Sequence, residues 1–213
     1  MNRSSELWTA NADLARACEE HPFVRGIASG ELSRSRFVFY VEQDAWFLGA
    51  FARAYAVALA KTDDLDTMLT LRTLLDGTFD ELRLHRGYAE RWGADLDPEP
   101  ADATLAYTDF LLRVAWSEPV AHTMAAMVPC MRLYAHLGRA MAPVTAAESP
   151  YREWVETYGD AGFEALAQQV EGLLDAGDGE PAVMAQHYRT AMRREYRFFD
   201  QALSDGDAPG SSR

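Results

Sequence analysis

The strongest constraint on the fold of this sequence is a helical segment whose apolar face contains a charged residue. From Phe37 to Lys61, apolar side chains recur in steps of three and four residues, the spacing of one face of an α-helix. Asp44 interrupts this stripe, three residues after Val41 and four before Leu48. A carboxylate on a core face is costly unless it is hydrogen-bonded or paired. Asp44 is therefore either a structural group that meets a neighbouring helix or part of the lining of a pocket.

Two further predicted helices carry an ionisable side chain, a carboxyl or a thiol, on their apolar face. Glu195 lies within the apolar face of the last helix, and Cys130 lies on that of a middle helix, directly after Pro129. A proline inside a helix removes a backbone hydrogen bond and kinks the axis, which opens local space. Each residue alone has an ordinary structural explanation, because buried cysteines are common. Together with Asp44 and nearby tyrosines, they indicate a pocket lined by aromatic rings and a few polar groups. The tyrosines are Tyr107, Tyr134, Tyr151 and Tyr158.

The rest of the chain also predicts helices. No segment alternates apolar and polar residues for long enough to form a strand. The helices are expected at about residues 5–20, 33–61, 64–91, 105–116, 118–141, 151–158, 161–174 and 181–203, with a connector at 21–32. The prediction is an all-α bundle of about eight helices, forming a single domain over residues 1–204. Residues 205–213 are expected to be a disordered tail.

The third predicted helix carries a side-chain pair. Glu81 and His85 lie one turn apart, within reach of each other. This spacing fits either a structural pair or half of a metal site. The residues predicted to be buried on this helix are Leu65, Met68, Leu69, Leu75, Phe79, Leu82 and Tyr88.

Composition excludes several classes of partner. The formal net charge is −13 over 213 residues, and no basic stripe is present, which argues against binding nucleic acid or an anionic membrane. No apolar run approaches membrane-spanning length, and the N-terminus is unlike a signal peptide. Two cysteines do not make a disulfide framework. A reduced, cytoplasmic protein is the simplest interpretation.

Six segments of the chain resemble the TenA family, also called thiaminase II, and follow the order of that family. They are HPFVRGIASGEL (21–32), YVEQDAWFL (40–48), AYTDFL (106–111), VPCMRLY (128–134), YREWVETY (151–158) and EYRFFD (195–200). The resemblance implies a haem-oxygenase-like helical fold and a homotetramer. It also implies a hydrolase of thiamin salvage that cleaves aminomethylpyrimidines, with thiamin as a second candidate substrate, to hydroxymethylpyrimidine without a metal or organic cofactor.

The resemblance also implies roles for individual residues. The nucleophile of the family falls on Cys130, its proton donor on Glu195 and its pyrimidine-binding carboxylate on Asp44. The supporting pocket positions fall on Phe47, Tyr107, Tyr134, Tyr158 and Phe198. These residue types suit the reaction independently, because a cysteine thiolate is a strong nucleophile near neutral pH. A glutamate whose pKa is raised by burial suits the acid.

Two departures from the family pattern leave the rate and the preferred substrate open. Phe47 stands where the family often has a tyrosine whose hydroxyl helps to position the cysteine. Met131 and Arg132 replace an apolar pair, so an arginine follows the expected nucleophile closely in sequence. The alternative function is a non-catalytic pyrimidine- or small-molecule-binding protein of the same fold, which the loss of the hydroxyl favours.

Iron-binding functions are disfavoured by the sequence. A haem protein would need an axial histidine, and His21 precedes Pro22, which places it at a helix end. A di-iron oxidase would need paired Glu-x-x-His motifs, and the sequence contains none.

Overall fold

The computed structural model describes residues 2–206, which form ten α-helices, one 3-10 turn and no β-strand. The all-α prediction is confirmed. The helices are α1 (Arg3–Ala10), α2 (Ala12–Glu19), α3 (Pro22–Ser29), α4 (Arg34–Ala60), α5 (Leu65–Trp92), α6 (Asp102–Ser117), α7 (Val120–Met141), α8 (Arg152–Gly159), α9 (Ala161–Ala176) and α10 (Pro181–Ser204). Of the tail predicted to be disordered, residues 207–213 lie outside the described residues.

The number of helices exceeds the predicted eight because the first 30 residues form three helices rather than one. Asn11 separates α1 from α2. The segment predicted as a connector contains α3, so that prediction was wrong. His21 caps α3 through its side chain, and Pro22 occupies the first turn, where its missing N–H costs nothing. Gly30 ends the helix with a φ of 80°, a conformation that favours glycine.

Helix α4 lies at the centre of the molecule, as its stripe indicated. Ser33 caps it by accepting a hydrogen bond from the amide of Arg36. The helix packs mainly against α5 and α6, and it also contacts α7 and α10. Asp44 points inward with the apolar stripe and is only 4% exposed. The sequence prediction of an inward carboxylate on this helix is confirmed.

The predicted buried face of α5 was largely wrong. Leu65, Leu69 and Phe79 are exposed by 66%, 50% and 45%, and of the seven predicted residues only Tyr88 is fully buried. The residues of α5 that are buried are Leu71, Leu74, Thr78, His85 and Tyr88. Apolar residues occur on two faces of this helix, and periodicity alone does not show which face the neighbouring helices cover.

Helix α7 passes through Pro129 without ending, and it packs against α8, α9 and α10. Gly138 allows a close approach to α8, because a Cβ on this residue would lie 2.3 Å from the backbone nitrogen of Gly159. The contact brings Tyr158 against Tyr134, with 4.7 Å between ring centroids. Tyr134 and Tyr158, both predicted for the pocket, are therefore neighbours because Gly138 and Gly159 let α7 and α8 approach closely.

Of the helices in residues 2–206, none combines the length and the apolar composition that a membrane span requires.

Candidate active site

The three chemically capable residues predicted from the helix stripes come together in the core. Asp44 comes from α4, Cys130 from α7 and Glu195 from α10. Cys130 and Glu195 lie close enough for each to shift the pKa of the other, and Glu195 is 2% exposed. Cys130 as a residue is half-buried, yet its thiol is enclosed by protein atoms.

A small closed space, the inner cavity, lies beside the Cys130 thiol. Its lining residues are Asp44, Phe47, Leu48, Phe51, Glu81, Cys130, Met131, Tyr134, Tyr158 and Phe163. The volume of the inner cavity is about 10 Å³, which is room for about one water molecule. Of the predicted site residues, five line this space, whereas Tyr107, Glu195 and Phe198 are not part of its lining.

The surroundings of Glu195 raise the pKa of its carboxyl, so that it keeps a proton near neutral pH. Burial raises the pKa of Glu195 to about 8, and the charge of Asp44 adds to this, while the hydrogen bond from Tyr107 and the nearby Cys130 thiol oppose it. The Tyr107 hydroxyl donates to Oε1 of Glu195 over 2.6 Å. A carboxyl with this pKa carries a proton at pH 7 and is a suitable general acid.

The Cys130 thiol is a weak acid at rest. Burial raises its pKa well above the usual range, and the charges of Glu195, Glu81 and Asp44 raise it further. The thiol therefore needs a base to remove its proton when it reacts. Glu195, next to the thiol, can take that proton as it passes its own proton to the substrate, since its pKa is about 8.

Asp44 is hydrogen-bonded to His85, a residue whose sequence spacing suggested a pair with Glu81. Its Oδ2 lies 2.8 Å from Nε2 of His85, and both side chains are buried. The Nδ1 atom of His85 faces the backbone carbonyl of Glu81 at 2.9 Å. Burial lowers the pKa of His85, but the hydrogen bond to Asp44 and the charge of Asp44 outweigh it and raise the pKa overall. The predicted side-chain pair between Glu81 and His85 was wrong.

Glu81 instead accepts a hydrogen bond from the Tyr158 hydroxyl, 2.6 Å away. Burial raises the pKa of Glu81 to about 7, with a further increase from the charge of Asp44. Glu81 and His85 are thus two site residues that sequence reasoning missed. Their spacing of one turn placed both residues on the same face of α5, but it did not show which residues they bind.

A chain of hydrogen bonds orients Tyr134 toward the inner cavity. The indole N–H of Trp154 donates to the Tyr40 hydroxyl at 3.2 Å, and that hydroxyl donates to the hydroxyl of Tyr134 at 3.1 Å. Because Tyr134 accepts from Tyr40, its own proton remains available to a group in the cavity.

The remaining predicted residues form an aromatic wall. Phe47 lies 4.8 Å from Tyr107 and 5.8 Å from Phe198, measured between ring centroids. Phe198 supports this wall from behind. Tyr151 lies away from the cavity, and its hydroxyl donates to the carbonyl of Leu32.

Arg132 does not contact the thiol, although it lies two residues after Cys130. Its guanidinium forms paired hydrogen bonds with Glu164 and Glu171 on α9, at distances from 2.6 to 3.0 Å. This departure from the family pattern therefore serves the packing of α7 against α9.

In the part of the chain that the structure describes, one cluster brings together side chains able to bind a metal. The ligand atoms of Glu118, His122 and His187 lie within 4.8 Å of one another. Nε2 of His122 accepts from the amide of Glu180, so Nδ1 carries the proton and donates to Glu118. Glu118 also pairs with His187, and the cluster links α7 to α10. It shares no residue with the inner cavity.

Comparison with known proteins agrees with the fold. A sequence model described as the TENA/THI-4/PQQC family matches residues 8–205. The chain belongs to this family. The predicted resemblance to TenA proteins is confirmed, and with it the expected fold class.

Individual members of the family are similar over most of the chain. An aminopyrimidine aminohydrolase from Halalkalibacterium halodurans is 34% identical, over 96% of this chain and 97% of that protein. The thiamine biosynthesis multifunctional protein ThiED from Corynebacterium efficiens is also 34% identical, over 94% of this chain but only 28% of its own length. The crystal structure of a protein described as a TenA family transcription regulator, from a Silicibacter species, superposes with a TM-score of 0.88 at 28% identity. It covers 95% of this chain and 96% of that one.

Proposed function

We propose that this protein hydrolyses the C–N bond between the methylene group of an aminomethylpyrimidine and its amine, as an enzyme of thiamin salvage. The observation that carries this proposal is the placement of Glu195 next to Cys130, beside an aromatic cavity that also contains Asp44. It brings a nucleophile next to a carboxyl whose pKa of about 8 suits proton transfer in both directions. Membership of a family that includes aminopyrimidine aminohydrolases supports the same assignment.

The first half of the proposed reaction adds the thiol to the pyrimidine. Sulfur of Cys130 forms a bond to an electron-poor ring carbon, and the thiol proton passes through Glu195 to a ring nitrogen. The C–N bond to the amine then breaks. Its electron pair leaves with the amine, which takes a proton from Glu195.

The second half restores the enzyme. Water adds to the exocyclic methylene group and returns a proton to Glu195. The bond between sulfur and the ring then breaks, and the proton on the ring nitrogen returns to Cys130. The balance is one water consumed, with a hydroxymethylpyrimidine and a free amine released.

Other residues bind and orient the ring in this proposal. Oδ2 of Asp44 is committed to His85, so Oδ1 is the atom that accepts from the exocyclic amine of the pyrimidine. Phe47, Tyr134 and Tyr158 provide aromatic faces for a flat heterocycle. Tyr107 holds the Glu195 carboxyl in place, and Phe198 supports Phe47.

A second candidate function is binding without catalysis. The side chain of Phe47 lines the inner cavity and has no hydroxyl to place near the thiol. A pyrimidine-binding protein that had lost an activating group would have this feature. The similar Silicibacter protein is described as a transcription regulator. Turnover decides between the two functions.

The proposal extends to assembly and location. Leu65, Leu69 and Trp116 are exposed by 66%, 50% and 72%, which suits burial between subunits. We propose a homotetramer, in which these residues lie at interfaces. We also propose the predicted cytoplasmic location, where a reducing environment keeps a free thiol such as that of Cys130 from forming a disulfide.

The direct test is incubation of the purified protein with 4-amino-5-aminomethyl-2-methylpyrimidine and, separately, with thiamin. Mass spectrometry would follow formation of the hydroxymethylpyrimidine. The proposal requires this product in at least the first reaction. Binding of the pyrimidine by calorimetry without any product would instead establish the binding function.

A further inference from the structure

A groove on the outer face of α10 carries positive charge on an otherwise acidic protein. It lies where α10 packs against α2, has a volume of about 320 Å³ and is open to solvent. Three of its six lining residues are arginines, and no Asp or Glu of residues 2–206 is part of the lining. The whole chain, by contrast, has 33 acidic and 20 basic residues. We call this space the arginine groove, and its lining residues are Leu14, Thr190, Arg193, Arg194, Tyr196 and Arg197.

The three guanidinium groups of the arginine groove are not neutralised by carboxylates. In the described part of the chain, Arg193, Arg194 and Arg197 form no ion pair. Asp13, which adjoins the groove residue Leu14 on α2, is already held by Arg189 at 2.8 Å. The groove therefore presents three positive charges to whatever enters it.

The spacing of these arginines places like charges next to one another on the helix surface. Arg197 lies four residues after Arg193 and three after Arg194, the separations of neighbouring side chains on an α-helix. Like charges at such positions destabilise a helix, and a bound anion relieves the repulsion. Glu195 lies between them in sequence but faces the core, where it is 2% exposed. The outer side of this turn of α10 is thus cationic, whereas its inner side carries the candidate acid.

The other lining residues add a hydrogen-bond donor and an apolar surface. Tyr196 is half-buried, and its ring packs edge-on against that of His21, with 4.8 Å between ring centroids. Its hydroxyl can donate to an anionic oxygen, and Leu14 offers apolar contact. The hydroxyl of Thr190 already donates to the carbonyl of Gln186. Guanidinium groups match phosphate oxygens through paired hydrogen bonds, and a volume of about 320 Å³ is near the lower end of small-molecule sites.

We propose that the arginine groove binds a small molecule that carries a phosphate or diphosphate group, with its organic part against Leu14 and Tyr196. This site is separate from the inner cavity, since the two share no lining residue. The inner cavity is lined by Asp44 and Glu81, whose carboxylates disfavour an anion there. The inference does not depend on the proposed hydrolysis.

Calorimetric titration of the full chain with pyrophosphate, at low ionic strength, tests the charge of the groove. We expect binding with a Kd below about 1 mM. The double variant Arg193→Gln/Arg197→Gln is expected to raise this Kd at least about fivefold. Arg53→Gln/Arg86→Gln is the matched control, because it removes two exposed arginines that also form no ion pair among residues 2–206. The control is expected to change the Kd by no more than about twofold.

Two outcomes of this titration overturn the inference. One is a wild type that shows no binding at about 5 mM pyrophosphate. The other is an equal effect of the two double variants, which would mean that the anion responds only to the net charge of the protein. Thermal unfolding of each variant without ligand verifies that folding is unaffected.

The class of ligand is tested by changing the probe. Phenyl phosphate is expected to bind more tightly than inorganic phosphate, because its ring gains contact with Leu14 and Tyr196. Leu14→Ala is expected to reduce that difference. Citrate carries a similar charge on carboxylates, and tighter binding of citrate than of pyrophosphate overturns the assignment to phosphate. Tighter binding of a hexaglutamate peptide than of pyrophosphate overturns the assignment to a small molecule and indicates an acidic protein partner.

Discussion

Asp44 and His85 are joined by a buried hydrogen bond of 2.8 Å that links α4 to α5 at the edge of the inner cavity. Both ring nitrogens of His85 face oxygen acceptors, since Nδ1 lies 2.9 Å from the carbonyl of Glu81. The geometry therefore suits an imidazolium beside a carboxylate. In this arrangement the charge of Asp44 is balanced by His85, while Glu81 and Glu195 carry protons at low and neutral pH.

The pair makes His85 important for stability. His85→Gln leaves the buried carboxylate of Asp44 without its cation, and we expect a loss of roughly 3–5 kcal/mol in the free energy of unfolding. His136→Gln is the control, because His136 pairs with Glu19 at a half-exposed site. That change is expected to cost no more than about 1 kcal/mol. Urea denaturation of both variants measures the difference, and equal losses would argue against a special role for the buried pair.

Stability is expected to fall as pH rises. The pKa values of His85, Glu81 and Glu195 are all raised in the folded state, the last two to about 7 and about 8. A raised pKa means that the folded state binds the proton more tightly, so this stabilisation is complete below the unfolded pKa and disappears through the folded pKa. Each proton contributes about 1.4 kcal/mol per pH unit in that window. Between pH 5 and pH 9, denaturation should show a smaller slope for Glu195→Gln than for wild type. A wild type more stable at pH 9 than at pH 5 would contradict the assignment.

The acid role of Glu195 predicts a pH profile of activity. We expect kcat/KM of the wild type to decline above about pH 8, where this carboxyl loses its proton. Glu195→Gln is expected to lower kcat/KM by a factor of roughly 10²–10⁴ and to abolish that decline. The measurement is hydrolysis of 4-amino-5-aminomethyl-2-methylpyrimidine from pH 6 to pH 10. Loss of rate without a change in the profile would point to a structural role.

Covalent catalysis predicts a large effect at one cysteine and a small one at the other. Cys130→Ser should retain the fold but lose turnover by orders of magnitude, because an alcohol is far less ionised than a thiol. Cys18→Ala is the control, since Cys18 is fully buried and does not line the inner cavity. Steady-state release of product, with circular dichroism to verify folding, compares the two. Near-normal turnover in Cys130→Ser would exclude Cys130 as the nucleophile.

Phe47 offers a test by gain of function. Phe47 and Cys130 line the same inner cavity, so Phe47→Tyr adds a hydroxyl beside the reacting thiol. A hydrogen bond to a developing charge is worth about 1.5–3 kcal/mol, so kcat is expected to rise by roughly ten- to 150-fold at most. Phe51→Tyr, at another position of the cavity lining, controls for the addition of a hydroxyl as such. A Phe47→Tyr variant that is slower than wild type would indicate that the present wall positions the thiol by packing.

The homotetramer is tested by mass. Multi-angle light scattering at micromolar concentration is expected to give the mass of four chains of 23.8 kDa each. Trp116→Glu and Leu65→Glu add charge to exposed apolar positions and should shift this mass toward smaller species. Glu90→Lys, at an exposed charged position on α5, serves as a control for charge reversal. A monomer mass for the wild type would refute the proposed assembly.

The sequence by itself determined the helical class and the inward-facing residues on the most regular helices. The stripes of α4, α7 and α10 predicted Asp44, Cys130 and Glu195, because a polar side chain within an apolar face is visible from spacing alone. Family motifs then attached roles to these positions. Residues of this kind are predictable because each helix has one dominant apolar face.

Only the tertiary structure decided the partners of these side chains. Glu81 and His85 were recognised as neighbours on α5, but Glu81 bonds to Tyr158 and His85 bonds to Asp44. Helix α5 carries apolar residues on two faces, and which face is covered depends on the packing of α4 and α9 against it. Local spacing depends only on the geometry of one helix, whereas a hydrogen bond between helices depends on contacts between residues distant in sequence. For this reason the catalytic candidates were found from the sequence, and the pairs that set their protonation were found only from the fold.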